Sequence, residues 1–352
     1  MLKTIWSAFF LTCFAAQNLV ALSALEFTNW WNSYAQTANI PPELAAMENY
    51  FIHSPLLEES SLYWNELNKK NIIQIVTHGY LNFKQTVAQN YFTWVVGLDN
   101  GYASNLAHFP VYLSDKELNK KHSLLSQADS VKYNTVTAKF LSFMMQLDKE
   151  KYLERLEEPS LGNAPYITYK GKRISQDLLN SLLEFISIDL FSDKSSFQTI
   201  LEIGAGSGRT AFAFIKLLDG IKYIIADIPP ALFVSQQYLS DVFPEKKVFK
   251  FRPFTSFSEA KDEFMAADIV FLTPDQLCHL ENKSIDLFLA IDCLHEMKPS
   301  IIEHYISEAQ RLAEYFYIKC WQHAFVPFDG YVYPWGQYPI PSSWEKRFDL
   351  LC

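Results

Sequence analysis

From Glu202 to Gly208 the chain reads Glu-Ile-Gly-Ala-Gly-Ser-Gly, three alternating glycines after an acid and an apolar run. Lacking Cβ atoms, such a loop can turn sharply and bring backbone N–H groups against a ligand. Glu202, Gly204, Ala205, Gly206 and Gly208 are therefore candidate binding residues. Asp227, followed by Ile228, closes the next apolar run nineteen residues after Gly208 (227 − 208). A carboxylate there can accept from both ribose hydroxyls, which indicates an adenosine ligand without naming it. Asp275 and Gln276 follow a third apolar run in "FLTPDQL" (271–277), and Asp292, His295 and Glu296 end a fourth in "AIDCLHEM" (290–297). An imidazole titrating near neutrality suits general-base work, so His295 is the candidate base. Glu296 either orients that ring or pairs elsewhere. Each acid of the loop set also has a plainer reading: Glu202 caps loop amides, Asp227 starts the turn before Pro229-Pro230, and Asp275 sits exposed in a turn.

These residues need a scaffold that brings loop ends together. Strand patterns fall at Thr199–Ile203, Tyr223–Ala226, Ile269–Leu272, Ile285–Ile291 and Tyr315–Trp321. Helical patterns lie between them at Arg209–Leu218, about Ala231–Val242, and around Ile302–Ala309. Strands alternating with helices predict an α/β fold, a Rossmann-like parallel sheet covered on both faces. Such a sheet binds ligands at the carboxyl ends of its strands. "KVFKFRPF" at 247–254 can add a further strand. A helix whose apolar face is Leu179, Leu182, Leu183, Ile186 and Leu190 precedes the first strand, with Ser175 as N-cap and Asp177 in its first turn. Residues 166–352 form the expected binding domain.

The preceding region, 25–160, reads as mainly helical, with helical spacing at Leu56–Leu67 and from Lys132 to Leu156. It suits an acceptor-side or lid region. Pro159 to Pro165, around Gly162, is a turn-rich junction. At the front, Lys3, the uncharged Ile5–Ala16 and the small residues near Ala21-Leu22-Ser23 make 1–23 resemble a secretory signal. An uncleaved membrane anchor and a buried first helix are the alternatives. The five cysteines pull the other way. Cys293 and Cys320 fall in expected neighbouring strands as small buried hydrophobes, and the spacings match neither a zinc site nor a disulfide framework. A net charge of −9, with no Lys/Arg cluster, excludes the basic footprint that nucleic-acid binding requires.

The ligand can be narrowed. A dinucleotide fingerprint starting at Gly204 needs its third glycine at 209, where this chain has Arg209. Glu-x-Gly-x-Gly-x-Gly is instead the form of S-adenosylmethionine-dependent methyltransferases. With "GYLNFKQTVAQNYF" (79–92), "GKRISQDLLNSLLEF" (171–185), "ADIPPALFVSQQYL" (226–239), "IDLFLAIDCLHEM" (285–297) and "YIKCW" (317–321), the chain resembles the sugar O-methyltransferase family of the class I methyltransferase superfamily. The resemblance covers most of 60–345. It implies methyl transfer from S-adenosyl-L-methionine to a sugar hydroxyl of a glycan or polysaccharide. It also implies an acid such as Asp275 against the adenine amine. Some sugar methyltransferases bind Mg²⁺ through clustered Asp near the fourth and fifth strands. This chain has Lys319-Cys320-Trp321-Gln322-His323 there, so metal-independent transfer is expected. The chain departs from the family pattern in its signal-like start and in the short stretch after Trp321, where two more strands are usual. Two rival readings follow: an exported, catalytically degenerate glycan-binding protein, and a nicotinamide-dependent sugar oxidoreductase, which Arg209 disfavours.

Overall fold

The computed structural model describes residues 21–86, 106–123, 125–189, 197–320, 326, 328–329 and 337–341. Residues 1–20 of the signal-like segment 1–23, Leu190, the stretch 321–325 and the closing "RFDLLC" lie outside these. Helices of the N-terminal region begin where serines supply a side-chain oxygen to an otherwise unpaired first-turn amide. Ser23 forms a reciprocal capping box with Glu26 at α1 (Ala24–Tyr34). Pro42 opens α2 (Pro42–Phe51), where its missing N–H costs nothing.

The expected helix over Leu56–Leu67 is two pieces. A single turn, Pro55–Glu58, precedes α3 (Leu62–His78), because Ser61 caps a new helix through the amide of Trp64 at 3.1 Å. The second N-terminal helix, expected from Lys132 to Leu156, runs earlier as α4 (Gln127–Leu147). Ser126 caps its start. At its end the Asp148 carboxylate accepts from the amides of Tyr152 and Leu153, both at 2.8 Å, starting a separate 3₁₀ turn.

A small antiparallel hairpin then intervenes, β1 (Ile167–Tyr169) against β2 (Lys172–Ile174), which sequence patterning did not show. Three-residue strands are too short to display a period. Ser175 caps α5 (Gln176–Asp189) as expected, its hydroxyl accepting from the Leu178 amide at 3.0 Å.

The main sheet follows: β3 (Thr199–Ile203), β4 (Lys222–Ala226), β5 (Val248–Phe249), β6 (Ile269–Leu272), β7 (Ile285–Ile291) and β8 (Ala313–Lys319). All six strands are parallel, in the order β5-β6-β4-β3-β7-β8. The 247–254 stretch contributes only the two-residue edge strand β5. The last strand starts two residues before the expected Tyr315 and ends at Lys319, so Cys320 lies past it and Cys293 past β7. The expectation that both cysteines sit within strands is thereby corrected. Helices α6 (Arg209–Leu217), α7 (Pro229–Val242) and α8 (Pro299–Leu312) link the strands, and the Pro229-Pro230 pair starts α7 two residues before Ala231.

Alternating residues of β3 go to opposite faces. Ile200 packs with α5, α6, α7 and the N-terminal helices in one continuous core from Phe27 to Ile291. Leu201 and Ile203 pack with α8 and the short helix Lys261–Ala266 on the other face. The N-terminal helices thus share a core with one face of the sheet. Among the described residues, no helix is long and apolar enough to cross a membrane.

Candidate cofactor and acceptor site

The strand order reverses around β3. Connections from β3 run one way through β4 to β6, and the other way β7 lies beside it, leaving a crevice beyond the carboxyl ends. The glycine loop fills the floor. Gly204, Gly206 and Gly208 have φ of 62°, 58° and 79°, in the left-handed region where a side chain is strained. Packing fixes the first of them: a Cβ on Gly204 would lie 2.6 Å from Cys293 Cβ. Cys293 Sγ in turn reaches the Ile203 carbonyl at 3.5 Å, locking β7 to the loop.

Asp227 ties the loop to β4. Its Oδ2 accepts from the Gly206 amide at 2.8 Å and its Oδ1 from the Ile228 amide at 2.7 Å. Burial raises its carboxyl to about 7, against the two amides that favour the charged form. Carboxylate oxygens have about four acceptor directions, so two backbone bonds leave room for hydroxyl donors. Glu202 lies deeper, 2% exposed, where the Tyr223 hydroxyl donates to it at 2.8 Å and burial raises it to about 7. It holds the sheet beneath the loop. Ala205 is buried in the loop, and Ile228 is half-buried at the N-cap of α7.

At the end of β6 the two expected residues diverge. Gln276 is fully buried and uses both ends of its amide, accepting from Thr273 N and donating to Arg252 O, each at 3.0 Å. It closes a capping box. Asp275 differs: its Oδ1 is sealed from solvent and accepts no hydrogen bond. Tyr50 of α2 lies near this carboxylate and packs edge-on against Phe251 at 5.6 Å.

Past β7, Asp292 adopts φ 52°, and a 3₁₀ turn carries His295 and Glu296. His295 Nε2 lies 3.6 Å from Glu296 Oε1. Burial, and then the Lys319 charge, lower the imidazole to about 3, while burial lifts the Glu296 carboxyl to about 8. At neutral pH the ring is neutral and the carboxyl carries a proton. The sequence placed His295 near its ordinary value; its 3% exposure moves it far from there.

Sequence reasoning missed a charge network on the other flank. Glu184 of α5, with a side chain 1% exposed, receives Arg209 through two bonds, Nη1 to Oε2 at 2.8 Å and Nη2 to Oε1 at 2.9 Å. Lys319 Nζ, from the end of β8, donates to Glu184 Oε1 and Asp292 Oδ2, both at 2.9 Å, and to Asn180 Oδ1 at 3.2 Å. The two cations hold Glu184 well below the usual carboxylate range, at about 2, against its burial. A signal existed: a lone acid inside the apolar run "SLLEF", and single cations at the start of α6 and the end of β8. Among the described residues, no group of three or more His, Cys, Asp or Glu side chains is placed to hold a metal ion.

No protein-family profile matches the chain, and no curated protein matches it. Solved structures give partial likenesses. The N-terminal domain of EvdMO1, in the presence of SAH and D-fucose, is 13% identical over 49% of this chain and 63% of its own, with a TM-score of 0.29. A SAM-dependent methyltransferase from Aquifex aeolicus is 13% identical over 40% of this chain and 59% of its own, with a TM-score of 0.26. YcgJ from Bacillus subtilis is 16% identical over 38% and 48%, with a TM-score of 0.27. The chain spans between about half and two thirds of these three structures.

Proposed function

We propose that this protein is an S-adenosyl-L-methionine-dependent O-methyltransferase whose acceptor is a sugar hydroxyl. The observation that carries the reading is the left-handed glycine loop clamped onto Asp227 at the strand-order reversal. It fits an adenosine ligand that carries no pyrophosphate. Asp227 would accept from the ribose hydroxyls, and the Asp275 carboxylate, which Tyr50 faces, would accept from the adenine amine. The glycine loop, Ala205, Ile228 and Asp292 would line the rest. When bound, S-adenosylmethionine supplies an electrophilic methyl group on sulfonium sulfur.

The chain's own contribution is positioning and proton removal. Holding a hydroxyl oxygen in line with a methyl carbon replaces a bimolecular encounter with a local one. His295 is neutral, the form able to take the hydroxyl proton through an imidazole nitrogen. Glu296 decides when that step is favourable. As its carboxyl loses its proton, near pH 8, the resulting carboxylate stabilises an imidazolium 3.6 Å away. Turnover should therefore rise with pH toward about 8, whereas protonation of the ring itself lies near 3, outside the working range.

Testing starts with binding of S-adenosylmethionine by calorimetry, then transfer of labelled methyl to a panel of mono- and oligosaccharides. His295→Ala should lower turnover by roughly 10²–10⁴-fold with cofactor affinity retained. Glu296→Gln should flatten the rise toward pH 8. Near-normal turnover in His295→Ala would remove it as the base, and methylation of no sugar would remove the acceptor class.

A further inference from the structure

The network around Glu184 meets the proposed cofactor site at Asp292. Glu184 is the only one of its four charges that is sealed: the side chains of Arg209, Lys319 and Asp292 are 14%, 18% and 19% exposed. A single buried carboxylate therefore fixes two cations that are themselves partly exposed. Lys319 donates to Asn180, Glu184 and Asp292, so its ammonium is committed within the network. Its effect is on Asp292. That residue sits at φ 52°, in the left-handed region, and the Lys319 bond ties its carboxylate to the network.

Arg209 is different. Its guanidinium uses Nη1 on Ser181 and Glu184 and one Nη2 proton on Glu184, and lies 3.8 Å from Asp292 Oδ2. Five N–H donors against these three bonds leave donor capacity on a side chain that is 14% exposed. The mouth thus presents an acceptor and a donor side by side: the charges of an α-amino acid zwitterion, reversed.

We propose that Glu184 and Lys319 are positioning residues for the amino-acid end of the ligand. They hold Asp292 to accept from an α-ammonium and Arg209 to face an α-carboxylate. This rests on reading the crevice as an S-adenosylmethionine site. The consequence is selectivity for adenosyl thioethers that retain the amino acid.

The test compares two ligands that share the adenosine and sulfur. S-Adenosylhomocysteine carries the amino acid, and 5′-methylthioadenosine lacks it. Calorimetry should show that Lys319→Met weakens S-adenosylhomocysteine by roughly ten- to a hundredfold, the worth of a hydrogen bond to a charged group, while methylthioadenosine affinity stays within about twofold. Lys319→Arg should recover part of the loss. Asp292→Asn, at a partly exposed side chain, should give the same selective loss and decides the matter if Lys319→Met does not fold. An unchanged ratio between the two ligands overturns the inference, whether both weaken together or neither does. Failure of both ligands to bind the wild-type protein removes the cofactor reading and this inference with it.

Discussion

Placing a methyl group on Gly204 tests the packing that joins the glycine loop to β7. In Gly204→Ala the new Cβ would meet Cys293 Cβ at 2.6 Å, a distance real Cβ atoms essentially never show. Two costs add. Holding alanine at φ 62° costs about 1–2 kcal/mol. Overpacking against a buried neighbour costs about 1–3 kcal/mol. The sum, roughly 2–5 kcal/mol, is a large part of a typical domain's stability. Only the second cost can be relieved from across the crevice. Cys293→Ala removes only the Sγ contact at 3.1 Å and keeps the closer Cβ, so it should rescue little, whereas Cys293→Gly removes both. Urea unfolding of the wild type, both single variants and Gly204→Ala/Cys293→Gly gives a double-mutant cycle. A favourable coupling of about 1–3 kcal/mol is expected, with partial recovery of S-adenosylhomocysteine affinity. Additivity within about 0.5 kcal/mol would show that the loop does not bear on Cys293, and the strain would then be the whole effect.

Asp227→Ala should release the Gly206 amide as well as the ribose acceptor; cofactor affinity should fall at least tenfold, roughly 1.4 kcal/mol, in a protein whose far-UV circular dichroism is unchanged. Glu48 of α2 is fully buried, with neither carboxylate oxygen hydrogen-bonded, and burial raises it to about 8. Its folded-state value lies above its unfolded 4.5, so its contribution is fully present below pH 4.5 and is lost as pH rises through about 8. Glu48→Gln should therefore flatten the decline of stability across that window, the difference from wild type approaching about 1.4 kcal/mol per pH unit. Parallel stability–pH curves would place Glu48 in contact with water.

Local chemistry explains what the sequence determined alone. The strands β3, β6 and β7 run between the expected residues because short, Ile/Leu/Val/Phe-rich stretches bounded by Gly, Pro or Asp favour buried parallel strands. Ser175 capped its helix, Asp227 and Asp292 directly follow β4 and β7, and Asp275 and His295 lie in the 3₁₀ turns just past β6 and β7. The glycine spacing likewise determined a left-handed loop at Gly204, Gly206 and Gly208. Tertiary structure decided the rest, because partners distant in sequence cannot be read from either one. Why Gly204 must be glycine depends on Cys293, and the state of His295 on its burial and on Lys319. Gln276, adjacent in sequence to Asp275, turned inward to cap its own turn, while the Asp275 carboxylate lies against Tyr50 of α2. The sharpest case is Glu184. In the sequence it is one acid in an apolar helix; only when α5 packs against α6 beside the end of β8 do Arg209 and Lys319 converge on it, because a charge so deeply buried is tolerable only when paired.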